Sequence, residues 1–160
     1  MKIIKVLLMV VAMTMSLSAA AMTDDEHLQY TEALRDGNVK LVKKFLDHGM
    51  DINAKFFAWE ALQIAANKNQ FPVVKLLVER GADLNYQHPM TKMTALHFAA
   101  YGDNKEMVAY LISKGADKNL KLRGDVSIIR ALRDENRTDM VNFLLAQGVQ
   151  DDGCKEEKCQ

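Results

Sequence analysis

Apolar residues fall in the same order four times along the chain. "LVKKFLDHG" (41–49), "VVKLLVERG" (73–81), "MVAYLISKG" (107–115) and "MVNFLLAQG" (140–148) place them at i, i+1, i+3 and i+4, save for Lys44 at i+3 of the first, and then end on glycine. That spacing gives one apolar face of a helix. The glycine falls where a helix commonly needs a left-handed residue to stop. Gly49, Gly81, Gly115 and Gly148 follow one another at intervals of 32, 34 and 33 residues. After three of them comes Asp-x-Asn, in "GMDIN", "GADLN" and "GADKN", a composition that favours a tight turn.

A second helical stretch precedes each of these. "EALQIAANKNQ" (60–70) and "TALHFAAYGDN" (94–104) align without a gap, whereas "EALRDGN" (32–38) and "SIIRALRDENR" (127–137) are weaker copies. Ala65-Ala66 and Ala99-Ala100 remove bulk where neighbouring helices approach. The unit is therefore helix, short turn, helix, glycine-terminated turn and extended loop. One such pair cannot bury its own apolar face, but stacked copies bury each other's, so the apolar and glycine positions must recur while the rest varies.

The third unit, "TALHFAAYGDNKEMVAYLISKGADKN" (94–119), resembles an ankyrin repeat, with "TALH" in place of that family's T-P-L-H. The resemblance extends over units at about 26–53, 54–85, 86–119 and 120–152. It implies an all-α solenoid of about four helix-turn-helix units joined by β-hairpin-like loops. It also gives Thr94 and His97 a structural role, the ring bonding to the threonine and nearby backbone. The second unit departs from the pattern with Glu60 and Gln63 at those two positions. The outer units put Glu32 where Ile64 and Phe98 stand and Arg130 where His97 stands, as suits end units with one face in water.

Proteins of this family bind other proteins through the extended loops and the exposed side of the first helix. Carried onto this chain, those positions are Phe56, Phe57, Trp59 and Lys68, then Tyr86, Met90, Met93 and Tyr101, then Arg123. The set is more aromatic and apolar than solvent-facing tips usually are. Contiguous exposed apolar residues mark interaction sites, and Trp and Tyr are enriched among binding anchors. The implied partner is another protein, met by a chain that is a monomer when free.

Composition narrows the alternatives. With 21 basic and 21 acidic side chains there is no basic excess to draw nucleic acid. No H-E-x-x-H, G-x-S-x-G or phosphate-cradling glycine loop is present, and nothing in the pattern builds a dry pocket for acid–base chemistry. Neither an enzyme nor a cofactor is expected.

The first residues stand apart. "MKIIKVLLMVVAMTMSLSAAAM" sets Lys2 and Lys5 before an apolar run from Val6 to Met13 and small residues ending at Ala21, the three-part layout of a secretory signal. Cleavage is expected after Ala21, giving a signal peptide at 1–21, a repeat domain at 22–152 and a tail at 153–160. The eight-residue run is short against the roughly 20 apolar residues of a spanning helix, so no stable membrane insertion is expected after cleavage. The layout looks bacterial and points to the periplasm or secretion. Removing 1–21 leaves 19 basic against 21 acidic residues, a net charge of −2.

The two cysteines, Cys154 and Cys159, lie in the tail "GCKEEKCQ". An exported pair can form a disulfide. The other reading is a small thiol-redox or metal-handling protein that uses this pair. Catalytic thiols usually have C-x-x-C spacing, and zinc takes four ligands.

Overall fold

The computed structural model describes residues 23–153. Among them the elements run α1 (Asp24–Asp36), α2 (Val39–Asp47), β1 (Lys55–Phe56), β2 (Trp59–Glu60), α3 (Ala61–Asn67), α4 (Phe71–Glu79), α5 (Ala95–Tyr101), α6 (Lys105–Ser113), α7 (Ile128–Asp134) and α8 (Thr138–Ala146). Each odd-numbered helix packs on the even-numbered one that follows it, and α3 also packs on α1 and α5. The architecture is the all-α ankyrin-repeat solenoid expected from the sequence. Its leading helix is longer than the first unit implied: α1 starts at Asp24, because Thr23 and Glu26 form a capping box ahead of it.

The core is one continuous cluster through all four pairs. Ala65, Ala66, Ala99 and Ala100 are buried at the joints, and the bulkier Leu132 is buried in the last unit. Short helices of this kind are marginal alone, so caps and packing carry them. Asn38, Thr94, Asn104 and Ser127 each accept a backbone N–H from the first turn of the following helix.

Two rows of side chains tie each unit to the next. In the first, Asp51, Asp83 and Asp117 each accept the N–H two residues on and so shape their own turn. The neighbouring asparagines reach across: Asn53 Oδ1 accepts from Asp83 N at 3.0 Å, Asn85 Oδ1 from Asp117 N at 2.8 Å, and Asn119 Oδ1 from Gln150 N at 2.9 Å. The recurring Asp-x-Asn is thus an intra-unit turn followed by an inter-unit tie. In the second row, Gln70 Nε2 donates to Arg35 O at 2.7 Å and Asn104 Nδ2 to Asn69 Oδ1 at 2.6 Å. Arg137 Nη1 donates to Tyr101 O at 2.7 Å, while its other nitrogen pairs with Asp103. Gln70 and Arg137 are spent on these ties and make no side-chain cap on their own helices.

Gly49, Gly81, Gly115 and Gly148 all have positive φ, at 95°, 88°, 96° and 73°. At Gly115 an added Cβ would meet nothing within 4 Å. Gly115→Val is therefore expected to act through backbone strain alone, costing on the order of 1–2 kcal/mol. Urea unfolding at fixed pH checks this, and an unchanged midpoint would contradict it.

Candidate interaction surface

The first hairpin presents the least expected geometry. β1 and β2 pair antiparallel, Lys55 opposite Glu60 and Phe56 opposite Trp59, which leaves Phe57 and Ala58 as a two-residue turn. Both have left-handed backbone, with φ of 50° and 70°. Two positive φ values are what a primed hairpin turn demands, and Asn-Gly usually supplies them. Here an aromatic and an alanine hold those angles, each at a conformational cost of roughly 1 kcal/mol. Phe57 is 100% exposed. Its neighbour Phe56 turns inward, with its ring 5.7 Å from that of Tyr30 and 5.5 Å from His27.

Between this hairpin and the leading helix lies a cleft of about 420 Å³, lined by Leu28, Thr31 and Arg35 of α1, Phe56, Phe57 and Trp59 of the hairpin, and Ile64, Asn67 and Lys68 of the second unit. Leu28 is 58% exposed. The structure thus gathers Phe56, Phe57, Trp59 and Lys68 from the expected set and adds Leu28, Thr31 and Arg35. Sequence did carry a signal for Leu28: it is out of phase with the stripe Tyr30, Ala33 and Leu34 that α1 buries.

The other expected anchors lie elsewhere. Met90 is 69% exposed, and Arg123 is exposed on the next loop, whose backbone N–H donates to Thr91 O at 3.0 Å. Trp59 is wedged at the joint, its ring 5.0 Å from Phe98 and 5.1 Å from His88. Tyr86 is a clip between loops rather than a free tip: its hydroxyl donates to Ala58 O at 2.9 Å, and Lys55 Nζ sits 4.9 Å from its ring. Met93 and Tyr101 pack against the core in part. Phe56, Tyr86 and Tyr101, expected on the partner-facing side, are thus also held by contacts within the fold. His88 was not singled out. It is buried, its N–H donates to Met93 O and its ring accepts from Met90 N, and so it shapes the loop that carries Met90.

His97 is buried, and its environment defines its proton. Thr94 N donates to Nδ1 at 3.1 Å, which makes that nitrogen the acceptor, and so Nε2–H donates to Leu120 O at 3.1 Å. Burial pulls its pKa down to about 4, opposed by the bond to Leu120. In the second unit Gln63 does the same work with an amide: Nε2 donates to Tyr86 O at 3.0 Å and to Met93 O at 2.8 Å. Thr94, however, is replaced by Glu60, which is only 4% exposed and has an Oε2 without a partner. Burial, reinforced by Asp83 and Asp51 against Lys55, raises its pKa to about 7.

Among the described residues no group of three or more His, Cys, Asp or Glu side chains could hold a metal ion, and no helix is long and apolar enough to cross a membrane. Cys154, Cys159 and the expected signal peptide at 1–21 lie outside the described residues.

Comparison with known proteins agrees with the stacked architecture. The family model "Ankyrin repeats (many copies)" matches residues 62–112. The rat ankyrin repeat and SAM domain-containing protein 6 is 36% identical over 125 residues, covering 74% of this chain and 14% of that protein. The Caenorhabditis elegans ankyrin repeat and KH domain-containing protein mask-1 is 30% identical over 109 residues, covering 68% of this chain and 4% of the relative. An ankyrin repeat protein of Rickettsia felis is 25% identical over 118 residues, covering 74% of this chain and 41% of its own length. The chain thus spans less than half of each of these relatives. With the repeat period, the TALH histidine geometry and the continuous stack already described, the chain belongs to the ankyrin-repeat family.

Proposed function

We propose that this chain is a non-catalytic binding protein, exported to the periplasm, that captures a partner protein on the hairpin and first-helix side of the stack. Ankyrin repeats generally mediate protein–protein interaction. One observation carries the reading for this chain: Phe57 stands fully exposed on a hairpin whose backbone is held left-handed beside an apolar cleft. A large exposed aromatic at a strained tip costs the isolated fold something and gives it nothing, so a partner is the natural beneficiary. Inhibition of an exported toxin and chaperoning of an exported enzyme would both use such a surface.

A photoreactive phenylalanine at position 57 tests this directly. Irradiation in intact cells is expected to give one dominant crosslinked protein, whereas the same probe at exposed Lys114 on the outer side gives none. Equal labelling from both positions would refute a dedicated surface. The export half has its own check. N-terminal sequencing of the protein from the periplasmic fraction is expected to begin within a residue or two of Met22, and a sequence starting at Met1 would remove that part.

A further inference from the structure

The cleft carries charge as well as apolar surface. Its floor and walls are Phe56, Trp59, Ile64, Leu28 and Phe57, and Arg35 and Lys68 also line it. Neither cation belongs to any ion pair among the described residues. Asn67 adds an exposed amide beside Lys68. No acidic residue lines the cleft itself; Asp24 lines an adjoining pocket that shares Leu28, Thr31, Phe56 and Phe57 with it and adds the basic side chains of His27 and Lys55. A site with an apolar floor, two unpaired cations and no acid favours an occupant with a large apolar side chain and carboxylates next to it.

Resting on the binding role proposed above, we infer that the cleft receives an extended acidic segment of the partner protein, anchored by one large aliphatic or aromatic side chain lying between Leu28 and Phe57. Charge argues against the chain's own leader as occupant, because its only charged residues are Lys2 and Lys5. A cleft of about 420 Å³ also suits one or two side chains of a peptide better than a broad flat interface.

The experiment is a selection of random twelve-residue peptides displayed on phage. The baits are the full chain expressed with its leader, the charge-reversed variant Arg35→Glu/Lys68→Glu, and Phe57→Ala. The cations are exposed, so the reversed variant should melt with the wild type. Wild type is expected to enrich peptides with Asp or Glu flanking a large apolar residue. Their binding should weaken about tenfold or more on charge reversal and with rising salt, and the reversed variant should enrich Lys and Arg instead. Enriched peptides without acidic bias that still need Phe57 would overturn the acidic partner and leave the binding surface standing. Peptides indifferent to both changes would overturn this inference and the placement of the surface together. Failure to enrich any sequence would overturn the linear segment alone, since crosslinking at position 57 tests the surface separately. Light scattering that shows a dimer broken by Phe57→Ala would assign the cleft to a second copy, which also overturns it.

Discussion

Glu60→Gln is expected to stabilise the protein strongly at pH 8 and barely at pH 4.5. In the unfolded chain this carboxyl titrates near the ordinary glutamate value of 4.5, but in the fold its pKa is about 7. The folded state thus holds the proton more tightly. The stability this group contributes is fully present below about pH 4.5 and is lost as pH rises through 7. At 1.36 kcal/mol per pKa unit, the span is worth about 3 kcal/mol. His97 runs the other way. Its pKa falls from 6.5 to about 4, so its contribution is present above pH 6.5 and fades as pH falls toward 4. The two slopes have opposite sign over nearly the same window. Wild type should therefore be almost flat between pH 4.5 and 6.5, and Glu60→Gln should uncover a stability that climbs with pH. Urea midpoints at pH 4.5, 5.5, 6.5 and 8 decide it, and a gap between variant and wild type that is constant across them would show that Glu60 is not the titrating group.

The hairpin tip should separate stability from binding. Phe57 is wholly exposed, so Phe57→Ala is expected to move the unfolding free energy by no more than about 0.5 kcal/mol. Loss of a central aromatic anchor typically costs about 2 kcal/mol of binding, roughly a thirtyfold fall in affinity for the crosslinked partner. Ala58→Gly should do the reverse. Its φ of 70° suits glycine, so the variant should gain about 1 kcal/mol and keep the partner. The melting temperature would rise by a few degrees. Calorimetry and titration of the two variants check both halves. A Phe57→Ala protein that unfolds early would place that ring in the core, and an Ala58→Gly protein with unchanged melting would mean the turn is not strained.

The repeat was legible because its causes are local and periodic. Glycine after each outer helix, paired alanines at the joints and Asp-x-Asn after the glycine recur in phase, and each maps onto a feature of the stack. The interaction surface was legible only in outline. Phe57 and Tyr86 look alike as loop aromatics, yet one is bare and the other closes on Ala58, 28 residues away. Such contacts depend on how loops of adjacent units lean together, and periodicity says nothing about that. Leu28 could have been found from its phase on α1. Glu60 was visible as a departure from threonine, but its missing partner needs three-dimensional surroundings to be seen.

The two rows of inter-unit ties have a mechanical consequence. Each joint is pinned twice, once through an asparagine in the turn after the outer helix and once through Gln70, Asn104 or Arg137 at the turn between helices. A joint pinned at two separated points resists both twist and shear, because rotation about one pin pulls the other apart. The arc of the stack is therefore set before any partner arrives. A partner meets a stiff mould, little conformational entropy is left to lose on the repeat side, and whatever adjustment binding requires falls on the partner's own chain.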